Sequence, residues 1–256
     1  MESLEIFPLL AFEDNYIWCL RRNGKVAVVD PGDAAPVLKY LAESGDRLCA
    51  ILITHHHRDH IGGIAELAAH HPAPVFAPAV EHIAGTTHSL SGGQRIEIPE
   101  LDLELDVLDI AGHTRGHLGY YGRGALFCGD TLFACGCGKL FEGKMPTLHA
   151  ALKTIAALPP DTLIYCAHEY TMSGIRFARV VEAGNATLEA RGALVAQQRM
   201  DKQPTVPFTL ADELATNPFL RCKEPGVIAS ATKRLGRQPV DELEVFTALR
   251  EWRDRF

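Results

Sequence analysis

The sequence predicts an α/β domain followed by a small all-helical one, and three observations carry that expectation. Strand-like and helix-like runs alternate over the first two thirds of the chain. Strand signals then stop near residue 172. Beyond that point Asn185–Lys202 and Asp241–Phe256 have helical spacing, separated by a Pro-rich turn at Pro204 and Pro207. The expected division is residues 1–171 and residues 172–256, and 256 residues are enough to bury a substantial core in that arrangement.

Taken in order, Leu4–Ala11, Tyr16–Arg21, Lys25–Val29 and Leu48–Ile53 read as strands with Gly and Asp at their breaks, and Ala35–Ser44 reads as a helix between them. Ile61–His70 places Ile61, Ile64, Leu67 and Ala68 on one face, a helix pattern. From Leu101 to Val107, leucine and valine alternate with Asp102, Glu104 and Asp106, as in a strand with one wet face. Further strands are expected at Leu118–Tyr121, Ala125–Cys128 and Thr162–Cys166. The last helix opens with Asp241 and carries Glu244 three residues on, resembling a capping box.

Composition excludes several classes. Hydrophobic residues make up 47% and charged residues 22%, ordinary for a globular chain. A net charge of −7 argues against a nucleic-acid partner, whose phosphates need a surplus of Lys and Arg. The N-terminal apolar run is short, flanked by Glu2 and Glu5 and broken by Pro8, so neither an export signal nor a membrane span is expected. Seven scattered cysteines without a CxxC pair suit reduced thiols, hence a cytoplasmic location. Cys135-Gly-Cys137 has the spacing of a soft-metal or redox pair, but loop cysteines without partners are more often bystanders. A monomer is the default expectation.

The chemistry concentrates where the Leu48–Ile53 strand runs into Thr54 and then His55-His56-His57-Arg58-Asp59-His60. Residues two apart in an extended chain face the same way, so His55 and His57 converge while His56 points aside. The turn toward the following helix swings Asp59 and His60 elsewhere, and one loop thereby offers ligands to two neighbouring ions. A packing explanation is awkward, because every buried imidazole needs a hydrogen-bond partner. His70, His71, His82, His88 and His149 stand alone and read as ordinary core or surface residues. Further ligands are expected at other strand ends: His113 or His117 in Ala111–His117, Asp130 in Phe127–Thr131, and His168 in Cys166–Tyr170.

The segments THHHRDH, AGHTRGH and GDTLF resemble the metallo-β-lactamase superfamily, and HEYT with PTVPFTLADELATNPFLR is similar to its glyoxalase II (hydroxyacylglutathione hydrolase) branch over nearly the whole chain. The resemblance implies an αββα sandwich with metals at one edge. It implies two divalent ions per chain, zinc by default with iron or manganese tolerated. One ion would be held by His55, His57 and His113, the second by Asp59, His60 and His168, with Asp130 bridging and with His117 and Thr114 outside the ligand set. The implied reaction is hydrolysis of a glutathione thioester, S-D-lactoylglutathione, to glutathione and D-lactate, the second step of methylglyoxal detoxification. Asp59 would also orient the attacking hydroxide. With two dications, two carboxylates and a hydroxide, the core would keep a charge of about +1, favouring an oxyanion.

For substrate, the resemblance points to Lys139, Tyr170, Arg250 and Arg253. Two departures stand out: Phe141 where relatives often have a tyrosine, and Arg253 where lysine is common, a planar fork in place of a point charge. Both bear on KM more than on kcat. The alternatives are a mononuclear iron persulfide dioxygenase on the same fold, a nucleic-acid phosphodiesterase, and a metal-stabilised binding module without catalysis.

Overall fold

The computed structural model describes residues 2–256 and divides into two compact units. The first comprises the residues up to Asp109 together with Thr114–Gly129; the second comprises Ile110–His113 and Asp130–Phe256.

The first unit contains ten strands and three α-helices: β1 (Glu5–Ala11), β2 (Asn15–Arg22), β3 (Lys25–Val29), α1 (Ala34–Ser44), β4 (Arg47–Leu52), α2 (Arg58–Ile61), α3 (Ile64–His70), β5 (Val75–Pro78), β6 (His88–Leu90), β7 (Arg95–Ile98), β8 (Leu103–Asp109), β9 (Leu118–Gly122) and β10 (Ala125–Gly129). The first six strands form one sheet in sequence order, antiparallel from β1 to β3 and parallel from β3 to β6. Its central strands are continuous apolar runs because both faces are covered. β7 to β10 follow as antiparallel neighbours, and β8 shows the alternation of a half-wet strand.

Between sheet and helices lies a core that includes Ile17, Val28, Ile51, Ile53, Ile64 and Leu67. α1 adds Ala34, Val37 and Leu41, spaced for one face. It starts where the Asp33 side chain accepts from the Ala35 N–H and stops at Gly45 in the left-handed region. Tyr120 of β9 donates its buried hydroxyl to Ile53 O at 2.7 Å, tying the meander to the end of β4.

The second unit opens with the hairpin β11 (Leu132–Phe133) and β12 (Gly136–Cys137), then α4 (Met145–Ala156), β13 (Leu163–Cys166), α5 (Thr171–Val181), α6 (Ala186–Met200), β14 (Phe208–Thr209), α7 (Leu210–Thr216), α8 (Pro225–Leu235) and α9 (Glu242–Arg253). A core of Cys135, Ile175, Ala178, Leu188 and Val195 joins the hairpin to α5 and α6. Among the described residues no helix is long and apolar enough to cross a membrane.

Four sequence expectations need correction. The helix expected over Ile61–His70 is two helices broken at Gly62-Gly63, so Asp59 and His60 sit on a helical turn and not before one. Both glycines press on neighbouring backbone: a Cβ at Gly62 would lie 2.5 Å from Gly32 O, and one at Gly63 2.6 Å from Pro31 O. Strand structure does not stop at residue 172, because β14 pairs antiparallel with β13 through Leu163–Thr209 and Ile164–Phe208. Leu101 closes a 3-10 turn and the strand begins at Leu103. At α9 the cap is present, with Asp241 accepting from the Glu244 N–H at 2.8 Å, but Glu244 reaches back to the Val240 N–H, one residue before the cap.

Candidate active site

In the first unit the ligand-type residues gather past the carboxyl ends of the parallel strands β3 and β4. Asp30 follows β3 with a left-handed φ of 53°. Its Oδ1 accepts from the Thr54 N–H at 2.8 Å, and its Oδ2 accepts both from Thr54 Oγ1 at 2.7 Å and from His60 Nδ1 at 3.0 Å. With its proton on Nδ1, His60 turns Nε2 toward the site, 3.5 Å from Asp59 Oδ2. The same carboxylate acts on His55 at one remove. Because the Thr54 hydroxyl gives its proton to Asp30, its oxygen accepts the Nδ1–H of His55 at 3.0 Å. Both imidazoles are thereby held in the tautomer that presents Nε2.

His55 Nε2 and His57 Nδ1 lie 3.1 Å apart. Two nitrogens on one tetrahedral zinc stand about 3.3 Å apart when each bond is about 2.05 Å, so the spacing fits a shared ion. Asp59, partly exposed, has its Oδ2 held by Asn15 Nδ2 at 3.1 Å. Asp30, His55 and His60 also bring ligand atoms within 4.8 Å of one another, but the hydrogen bonds on both Asp30 oxygens mark it as an orienting residue.

Two glycines make this packing feasible. A Cβ on Gly32 would lie 1.8 Å from the Asp59 carbonyl oxygen. Gly129 has a φ of 49°, and its Cβ would stand 2.3 Å from Thr54 Oγ1 and 2.8 Å from the His117 ring. His117 stacks on His55 with ring centres 4.6 Å apart and donates Nδ1–H to Leu118 O at 3.1 Å. His56 turns away and donates to Glu81 Oε2 at 3.0 Å.

In the second unit Asp130 stands between two imidazoles. Its Oδ2 is 3.5 Å from His113 Nε2, and its Oδ1 is 3.4 Å from His168 Nε2. His113 donates Nδ1–H to Lys139 O at 2.7 Å, which aims Nε2 at the carboxylate. Asp130 and the imidazole of His168 follow the apolar strands β10 and β13 in the chain, as strand-end ligands should. The donor set of imidazoles and carboxylates without thiolates suits zinc and equally iron or manganese. Among the described residues none of the five lone histidines joins a group of three ligand side chains.

A cavity of about 320 Å³ in the same unit is lined by Lys139, Tyr170, Arg250 and Arg253, with Phe133 and Cys137 among its other walls. Tyr170 lies flat on His168, ring centres 4.7 Å apart at 6°. Arg250 is buried, donating Nη1–H to Cys137 O at 2.8 Å and Nη2–H to Asp254 at 2.9 Å. Its Nε is a buried donor without a partner among the described residues. Arg253 donates to Ser173 Oγ at 2.6 Å, and burial together with the Arg250 and Arg176 cations lowers its guanidinium below the ordinary value. An anionic ligand would relieve that crowding of positive charge. Phe141 is largely exposed and meets the His113 ring edge-on at 5.2 Å, with Lys139 Nζ 5.8 Å from its centroid.

Cys135 and Cys137 are both buried, each beside a polar neighbour. Cys135 Sγ donates to Thr216 at 3.5 Å, and Cys137 lies beside the Arg250 guanidinium. All seven cysteines are buried, and none of them is in a disulfide. Burial raises Cys19 and Cys135 to about 12 and Cys49 to about 11.

Sequence reasoning missed Asp30 and Asn15. For Asp30 the available signal was a lone acid closing the apolar Val26–Val29 run, directly before Pro31-Gly32.

Residues 12–168 match the family described as the metallo-β-lactamase superfamily, and residues 169–256 match the one described as hydroxyacylglutathione hydrolase C-terminus. A hydroxyacylglutathione hydrolase of Nitrosomonas eutropha is 49% identical over 253 residues, covering 99% of each chain. One of Dechloromonas aromatica is 51% identical, covering 99% of this chain and all of its own. Among solved structures, ETHE1 from Myxococcus xanthus superposes with a TM-score of 0.65 at 20% identity over 98% of each chain, a likeness of fold.

Proposed function

The chain belongs to the hydroxyacylglutathione hydrolase family within the metallo-β-lactamase superfamily, and from that membership we propose that it hydrolyses S-(2-hydroxyacyl)glutathione thioesters, S-D-lactoylglutathione foremost, to glutathione and the 2-hydroxy acid. Two divalent ions per chain are part of the reading, zinc by default. His55, His57 and His113 would hold one, Asp59, His60 and His168 the other, and Asp130 would bridge. The observation that carries the two-ion reading is Asp130 itself, which presents one oxygen to His113 and the other to His168. Ions held there supply Lewis acidity, readying water for attack near neutral pH and offsetting charge on the carbonyl oxygen.

The protein's own groups do the rest. Asp30 and Thr54 keep His55 and His60 in one tautomer and orientation. Asp59, steadied by Asn15, accepts a hydrogen bond from the attacking water and so orients it. Lys139, Arg250 and Arg253 give the cavity a cationic wall for the carboxylates of the glutathione moiety, and Tyr170 adds a hydroxyl. No strong general acid is required, since the leaving thiol ionises with a pKa of about 8.5. We read the helical region from residue 172 as the substrate-binding part, the chain as a monomer, and its buried, reduced cysteines as those of a cytoplasmic protein. The persulfide dioxygenase alternative is not favoured, because the relatives near 50% identity are hydrolases.

The test is turnover of S-D-lactoylglutathione with metal content measured on the same sample. Rapid hydrolysis with about two metals per chain is expected. No turnover by a sample holding both metals would overturn the assignment, and a single iron would move it to the oxygenase.

A further inference from the structure

Glu81 belongs to no group used so far, yet its carboxylate is almost sealed, with 3% of the side chain exposed. It ends the 3-10 turn Ala79–Glu81 that follows β5, and His82 then leaves in the left-handed region. Three donors converge on it. His56 gives Nδ1–H to Oε2 at 3.0 Å, while the Thr114 hydroxyl and the Gly116 N–H, at 2.9 Å, give theirs to Oε1. A buried carboxylate is costly unless every lone pair is used, so this one is held by what it holds. Gly116 is what lets it in: a Cβ there would stand 2.3 Å from Val80 Cγ2 and 2.7 Å from Glu81 Cγ.

The donors share a position in the chain. His56 is the residue between His55 and His57. Thr114 follows His113, and Gly116 precedes His117, whose ring stacks on His55. We propose that Glu81 is a positioning residue for metal binding: one carboxylate clamps the loop carrying His55 and His57 to the loop carrying Thr114–His117, and so sets the spacing at which the imidazoles meet the ion. The inference rests on the metal-centre reading above. A hydrogen-bonded partner one step behind a metal ligand typically contributes a factor of 10–100 in affinity. Glu81 lies one step further back, so about tenfold is expected from its loss.

The experiment measures zinc affinity against a competing chelator, the absorption spectrum of the cobalt-substituted protein, and the melting temperature of the metal-free chain, for native protein, Glu81→Gln and Thr114→Val. Expected are zinc binding about tenfold weaker in Glu81→Gln and a few-fold weaker in Thr114→Val, with a shifted cobalt spectrum in both. Thr114→Val removes one donor and leaves the carboxylate in place, so it decides the matter if Glu81→Gln does not fold. Native affinity and a native cobalt spectrum in the folded variants, with only a lower melting temperature, would overturn the proposal and leave Glu81 a packing residue. A native chain that takes up no metal would overturn the metal-centre reading, and the clamp with it.

Discussion

Asp30 takes the Nδ1–H of His60 at 3.0 Å, with both side chains almost closed to solvent. An ionised carboxylate only accepts, so the pair admits one histidine tautomer. Asp30→Asn replaces an acceptor with a group that also donates, and half of its orientations push the imidazole proton to the ligating nitrogen. Metal affinity should fall by a factor of roughly 10–100 while the metal-free chain stays folded. Chelator competition checks this; unchanged affinity would refute it.

Arg253 and Phe141 make opposite predictions about the cavity. Arg253→Ala should raise KM for S-D-lactoylglutathione about tenfold, the scale of one hydrogen bond to a charged group, and change kcat little. Phe141→Tyr should lower KM a few-fold by adding a hydroxyl. Steady-state kinetics on both settle it, and an unchanged KM in Phe141→Tyr counts against a substrate contact at that position.

Glu182 and Arg221 form a two-pronged ion pair, with both Glu182 oxygens 2.7 Å from the guanidinium. Those hydrogen bonds hold the Glu182 carboxyl below its ordinary value of 4.5. A group whose pKa is depressed on folding stabilises the fold above its unfolded value, and that stability is lost as pH falls through the folded one. Native protein should therefore lose stability progressively below about pH 4.5, and Glu182→Gln should flatten that part of the curve. At pH 7 the substitution should cost about 1–2 kcal/mol, read from urea unfolding.

Gly32→Ala drives a methyl into the Asp59 carbonyl, where 1.8 Å separates the atoms before relaxation. Relief requires the Arg58–Ile61 turn to move, taking Asp59 and His60 with it. Stability should fall by about 1–3 kcal/mol, the usual scale of overpacking, and metal content should fall with it. A variant that melts lower but still carries the native metal complement would show that the turn moves as a unit.

The histidine loop was legible because five ligand-type side chains crowd into Asp59, His60 and the three residues from His55 to His57, at a strand end where packing gives no reason for them. Its support was not. Asp30 meets His60 across thirty residues of chain, and from the sequence alone it is an acid before a turn. The break at Gly62-Gly63 is likewise a tertiary demand, set by the close backbone of Pro31 and Gly32 and invisible to helical periodicity. Arg250 and Arg253, to which the resemblance pointed, stand three apart and hence on one helical face, and both line the cavity. Spacing could not tell that Arg250 also braces the Cys137 carbonyl at 2.8 Å. The sequence analysis assigned no element to α8, whose proline at the first helical turn is well placed to start it.

The product of the proposed reaction is a thiol, and the molecule that releases it buries seven sulfurs of its own. Exchange with a disulfide starts from a thiolate. With Cys19 and Cys135 raised to about 12 and Cys49 to about 11, almost none of that form exists at neutral pH. Even Cys137, in the wall of the cavity, has its thiol pushed up by burial. Those buried thiols offer oxidised glutathione no thiolate from which exchange could start, so glutathione released turn after turn does not become tethered to them.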